Sequence, residues 1–160
     1  LKHFPGHGDT AADSHSGYAS SSKSLEELEA FEWEPFRVGI EAGAEFVMVG
    51  HISFPSVLQD QTPASLSPQL VSRVLREELG FRGIIITDAL NMGAIAENYS
   101  SAEAAVKAVQ AGADMLLMPE DFFSAYEAVC RAVREGTIPE TRINESVLRI
   151  LQNKEKLHTD

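Results

Sequence analysis

Three short runs of this chain, Phe46-Val47-Met48-Val49, Ile84-Ile85-Ile86 and Met115–Leu117, are apolar at every position. A strand with one wet face alternates apolar and polar residues. A run without alternation is what a parallel strand covered by helices on both faces requires. Parallel neighbours need long crossovers between them, and the intervals here carry helical patterns. Ser24 with Glu27 forms a capping box that opens a helix over about 24–42. Ser67 precedes Pro68, an N-cap followed by proline at the first helical position, and Val71, Val74, Leu75 and Leu79 then share one face. Ser100 with Glu103 is a second capping box, opening a helix to about Ala111. Two further helices are predicted over 122–134 and, after Pro139, over 140–157. Gly43, Gly80, Gly112 and Gly136 each stand where a helix should stop. Leu1-Lys2-His3-Phe4 reads as the end of one more strand. The order β-α-β-α-β-α-β-α-α predicts a parallel sheet with right-handed crossovers.

Glu41-Ala42-Gly43-Ala44-Glu45-Phe46-Val47-Met48 is similar to Gln110-Ala111-Gly112-Ala113-Asp114-Met115-Leu116-Leu117. Each copy spans a helix end, a glycine stop and the start of a strand. Two origins are open: an internal repeat of a modular barrel, or a generally favourable turn between helix and strand.

Composition excludes more than it assigns. The 160 residues are 44% hydrophobic and 23% charged, as in ordinary globular domains. Lys and Arg total 13 against 24 for Asp and Glu, a formal charge of −11 without a basic cluster, so nucleic acid is not an expected partner. No apolar run approaches the roughly 18 residues that span a membrane. The one cysteine, Cys130, excludes an internal disulfide and reads as a small core residue. The chain opens on Leu1, mid-strand by this reading, so residues preceding it are expected. Both a cytoplasmic and an exported location fit the sequence.

Parallel α/β folds place reactive groups at the C-terminal ends of their strands. Those ends here carry Lys2-His3, His51, Asp88 and Pro119. Asp88 follows Ile84-Ile85-Ile86-Thr87 directly, where a rigid strand would aim its carboxylate at the mouth of the sheet. The competing reading is a cap on the next helix. His51 ends the second strand and could touch a substrate or pack beneath it, and a supporting or wall role is the favoured reading. The first loop is the densest region: Lys2, His3, His7, Asp9, Asp13 and His15 fall in fifteen residues, and four of the five histidines precede Ile52. A metal site and a proton-transfer loop both use such residues. Helical spacing between His3 and His7 is broken by Pro5 and Gly6, which weakens the metal reading. In Asp13-Ser14-His15 the carboxylate can orient the imidazole and favour its charged form, as a group that donates and later accepts a proton requires.

The stretch Lys2-His3-Phe4-Pro5-Gly6-His7-Gly8-Asp9-Thr10-Ala11-Ala12-Asp13-Ser14-His15 resembles the signature of glycoside hydrolase family 3, in its bacterial β-N-acetylglucosaminidase branch. Val49-Gly50-His51-Ile52, Ile85-Ile86-Thr87-Asp88-Ala89-Leu90-Asn91-Met92 and Ala113-Asp114-Met115-Leu116-Leu117-Met118-Pro119 resemble the same family in the same order. The resemblance implies Asp88 as the nucleophile of a retaining hydrolase, His15 as acid/base and Asp13 as the group that orients it. It implies Lys2 and His3 as ligands of an N-acetylglucosamine ring, and His7 and His51 are expected among the sugar-contacting residues. The implied substrates are N-acetylglucosamine-containing glycans such as muropeptide fragments, with no cofactor and no metal. The implied fold is a parallel (β/α) TIM-type barrel, whose eight strand-helix units take about 250 residues. Residues 1–160 would supply its C-terminal half: about the last four units and a C-terminal helix. A half-barrel with two open edges is expected to self-associate. A β-glucosidase or a glycoside phosphorylase of the same family, and an inactive sugar-binding fragment, are the alternatives.

Overall fold

In the computed structural model, residues 1–7 and 19–156 are described. Three parallel strands form the sheet, β1 (Phe46–Val49), β2 (Ile84–Ala89) and β3 (Met115–Leu117), in the order β1-β2-β3. Residues 1–4 extend it past β1. Phe4 bridges Val49 in parallel, the Phe4 amide donates to the Met48 carbonyl, and the Met48 amide donates to the Leu1 carbonyl. The expected four-segment parallel arrangement is therefore present.

The helices follow the capping residues. Ser24 accepts from the Glu27 amide while the Glu27 carboxylate accepts from the Ser24 amide, opening α1 (Leu25–Glu27). The helix expected to run unbroken to about Ala42 does not. A π-type turn covers Leu28–Glu32, and α2 (Glu34–Glu41) starts afresh. Pro35 supplies the reason: it has no amide hydrogen to give the preceding turn, and it suits the first turn of a new helix. Between β1 and β2 lie α3 (Pro55–Leu58), a 3-10 turn at Ala64–Leu66 and a π-type helix over Gln69–Glu78. Between β2 and β3 lie α4 (Gly93–Ala96) and α5 (Ser101–Ala111), the latter opened by the predicted Ser100/Glu103 box. After β3 come α6 (Phe122–Arg134) and α7 (Glu140–Lys156). Of the pieces with four residues or fewer, α3, the 3-10 turn and α4 escaped the sequence reading, because so short a stretch displays no periodicity.

The four expected glycine stops all have positive φ. At Gly112 the requirement is doubled, since φ is 118° and a Cβ there would lie 2.5 Å from the Ser72 Oγ.

The main core lies between the β1–β2 region of the sheet and the first helices. Phe4 meets Phe36 edge-on at 5.2 Å and stacks against Trp33 at 6.3 Å, over Val47, Leu70, Leu75, Phe81 and Ile85. Smaller clusters centred on Ile95 and on Ile138 fasten α4–α5 and α6. Cys130, expected in the core, is only half-buried on α6, one turn after Tyr126, which is 60% exposed.

Candidate functional site

Asp88 lies at the C-terminal end of β2, where the ladder to β3 loses register. Ile86 pairs with Met115 and Ala89 with Leu117, so β2 carries one residue more than β3 across this interval. A bulge of this kind turns a side chain out of the regular alternation. Thr87 fills the gap from inside: fully buried, its Oγ1 accepts from the Leu117 amide at 3.1 Å. Asp88 Oδ1 accepts from the Ala89 amide at 2.8 Å, which fixes one carboxylate oxygen. Oδ2 faces His3 Nε2 at 3.7 Å, beyond hydrogen-bonding distance. The Asp88 and His3 side chains are 20% and 28% exposed, so both are anchored yet reachable from solvent.

His3 is placed by the edge segment. It approaches β1 closely because position 50 has no side chain, and a Cβ on Gly50 would sit 3.3 Å from that of His3. The His7 ring lies edge-on to the His3 ring at 6.0 Å. Lys2 precedes them and is exposed. Asp13 and His15 lie outside the described residues, as does Asp9, so the proton-transfer and metal readings of that loop both rest on the sequence.

His51, for which the sequence left sugar contact and packing beneath the substrate both open, takes the buried position. It is 1% exposed and both ring nitrogens are engaged within the protein. Nε2 lies 2.9 Å from the Ala89 carbonyl, which can only accept, so Nε2 carries the hydrogen. Nδ1 then accepts from the Ser65 hydroxyl at 2.7 Å. Burial lowers the His51 pKa and favours the neutral ring. His3 pushes the same way, while the Ala89 carbonyl and Asp88 oppose it. The residue packs beneath Asp88 and has no ring nitrogen left for a ligand. Ser65 carried no local signal in the sequence.

The other end of the sheet holds a second buried carboxylate. Asp114, just before β3, has a fully buried side chain. Its Oδ2 accepts from Arg76 at 2.7 Å and from the Ile85 amide at 3.0 Å. Its Oδ1 accepts from Ser146 at 2.6 Å and Arg149 at 2.9 Å, with Arg142 at 3.6 Å. Burial lowers the Arg76 pKa to about 10, against the pull of Asp114 and with the repulsion of Arg149 and Arg142. Arg142, Ser146 and Arg149 share the i, i+4, i+7 face of α7, a pattern the sequence displays. The fold places this cluster at the N-terminal end of the strands, where parallel α/β proteins keep stability rather than chemistry.

A family model described as Glycosyl hydrolase family 3 N terminal domain matches residues 1–153. The Beta-hexosaminidase of Stenotrophomonas maltophilia (strain R551-3) is 41% identical over 132 residues, 81% of this chain and 38% of that protein. A glycoside hydrolase family 3 beta-N-acetylglucosaminidase from Paenibacillus sp. str. FPU-7 superposes with a TM-score of 0.92 at 43% identity, over 96% of this chain and 30% of that one. A beta-glucoside phosphorylase bound to 2FGlc superposes with a TM-score of 0.91 at 32% identity, over 98% and 30%. The chain thus spans well under half the length of these relatives. Parallel strand order, strand-end residues and a family match over nearly the whole chain agree: the chain belongs to glycoside hydrolase family 3, within that family's N-terminal domain.

Proposed function

We propose that residues 1–160 form the C-terminal half of a single (β/α)8 glycosidase domain. The whole enzyme is then a retaining β-N-acetylhexosaminidase that removes terminal β-linked N-acetylglucosamine from cell-wall fragments. The observation that carries this reading is the setting of Asp88: a carboxylate at a strand's C-terminal end, one oxygen held by its neighbour's amide, the other reachable from solvent beside His3. Asp88 attacks the anomeric carbon and displaces the aglycone oxygen, giving a covalent glycosyl-aspartate. His15, oriented by Asp13, gives a proton to the departing oxygen and then takes one from the water that releases the sugar. Lys2, His3 and His7 line the pocket for the sugar ring. The mechanism needs no metal or cofactor.

Intact mass of the full-length enzyme after incubation with 5-fluoro N-acetylglucosaminyl fluoride tests this. A single-sugar adduct that disappears in Asp88→Asn is the expected result. An adduct that persists in that variant would remove Asp88 from its role.

The likeness to a beta-glucoside phosphorylase favours a second reading, in which inorganic phosphate replaces water and yields a sugar 1-phosphate. Hydrolysis of aryl N-acetylglucosaminide and aryl glucoside, each with and without phosphate, separates the two. The first reading expects N-acetylglucosaminide cleavage at a rate independent of phosphate.

Among the described residues, the outer edges of the 1–4 segment and of β3 have no strand partner, and Phe122, Phe123, Leu148 and Leu151 are more than half exposed. Sedimentation should show the isolated segment associating as concentration rises. A monomer with a sharp, reversible unfolding transition would count against the half-barrel assignment.

A further inference from the structure

Ala89 is held through both of the peptide groups that flank its Cα. Its amide is taken by the Asp88 carboxylate at 2.8 Å and its carbonyl by the His51 Nε2 hydrogen at 2.9 Å. His51 is in turn fixed through Nδ1 by the Ser65 hydroxyl at 2.7 Å. Ser65 cannot drift, because its amide donates to the Gly50 carbonyl and that of Ala64 donates to the Ile52 carbonyl, on either side of His51. Ser65, His51 and the two peptide groups that meet at the Ala89 Cα thus form a line of contacts that ends on a carboxylate oxygen of Asp88. The line lies where the β2–β3 ladder is interrupted and cannot itself fix the strand. Both polar side chains are buried, at 0% and 1% exposure, so water does not compete for these bonds.

We propose that His51 and Ser65 are positioning residues for Asp88: they fix the carbonyl of the Ala89–Leu90 peptide, and so the backbone at Ala89, whose amide sets the direction of the carboxylate that attacks the sugar. The inference rests on Asp88 being the nucleophile. The ring is required as a neutral donor on Nε2. The Ala89 carbonyl, which can only accept, selects that tautomer, and the Ser65 hydroxyl donates to the lone pair this leaves on Nδ1. An attacking oxygen displaced by about 1 Å slows a reaction by about 100-fold, without contact between the altered residue and the substrate.

The variants discriminate by which nitrogen they imitate. Gln can present a donor where His51 has Nε2, whereas Asn imitates only the Nδ1 position. The test is the rate of covalent labelling of the full-length enzyme by 5-fluoro N-acetylglucosaminyl fluoride, read by intact mass, which reports the attack step alone. His51→Asn should label roughly 10–100-fold more slowly than the parent, and His51→Gln should recover most of that loss. Ser65→Ala, a small change that keeps the fold, should label several-fold more slowly, with kcat lowered and KM little changed. Equal slowing in His51→Gln and His51→Asn would overturn the inference, as would a parent-like rate in Ser65→Ala. Labelling that survives Asp88→Asn would overturn the nucleophile assignment and this inference with it. Labelling abolished in Asp88→Asn but unchanged in every His51 and Ser65 variant would overturn this inference alone.

Discussion

Asp88 and Asp114 sit at opposite ends of neighbouring strands, and their surroundings differ in every respect that matters to a carboxylate. The Asp114 side chain has no exposed surface, and three arginines, a serine hydroxyl and a backbone amide share its two oxygens. Asp88 is 20% exposed; among the described residues one amide is bonded to Oδ1, and Oδ2 has a histidine nearby at 3.7 Å. A saturated carboxylate has no lone pair left for a substrate, and breaking it up leaves buried charges unpaired. A carboxylate held at one oxygen keeps the other for chemistry. The two ends thus divide cohesion from reactivity, as the polarity of a parallel sheet predicts.

The comparison can be broken most decisively at Asp88. Asp88→Asn should lower kcat of the full-length enzyme by roughly 10⁴–10⁶-fold, yet change its unfolding free energy by less than about 1 kcal/mol. Paired kinetics and urea titration read both numbers, and a large stability change would place Asp88 in the framework instead. Asp114→Ala should do the reverse. It strands three cations at the base of β3 and should destabilise by about 3–5 kcal/mol, while the folded fraction keeps its turnover. Loss of turnover at unchanged stability would erase the distinction between the two ends. Within the arginine cluster, Ser146→Ala removes the hydroxyl that accepts from Arg142 and donates to Asp114. Its expected effect is about 1–3 kcal/mol in the same titration, and no effect would mean the arginines alone satisfy the carboxylate.

The smallest effect concerns pH. The His51 pKa lies below its ordinary value of 6.5 when folded, so the folded protein refuses a proton that the unfolded chain accepts. Stability is then unaffected by this group well above pH 6.5 and falls as pH drops below it, by up to about 1.4 kcal/mol per pH unit. His3 and Asp88 face the ring with opposite signs, and the burial of the ring outweighs both. Urea titrations near pH 7.5 and 5.5 should show a steeper decline in the parent than in His51→Gln. Equal slopes would mean that His51 accepts its proton freely in the folded state.

Much of the architecture was legible because its causes are local. Ser24 with Glu27 and Ser100 with Glu103 close hydrogen bonds within four residues. The unalternating apolar runs read as strands covered on both sides; they are strands, but Phe46 and Met115 are 41% and 37% exposed, and the strand ends pointed to His3 and Asp88. The interruption at Trp33 was signalled by Pro35 but overridden by the continuous helical pattern around it. The sharing of one face by Arg142, Ser146 and Arg149 was legible too, but its meaning was not, because the carboxylate it serves is 28 to 35 residues away.

What the sequence determined by itself is the set of pieces: capped helices, glycine stops, parallel strands, and the residue types that end those strands. Tertiary structure alone decided what each polar group is for. Asp114 and Asp88 both border an apolar strand run, yet one is saturated by cations delivered from two helices and the other is left open at a bulge. His51 and His3 both stand at strand ends, yet one is sealed between Ser65 and Ala89 while the other faces the carboxylate. Burial and hydrogen-bond saturation depend on groups far apart in the chain, so no local pattern can encode them.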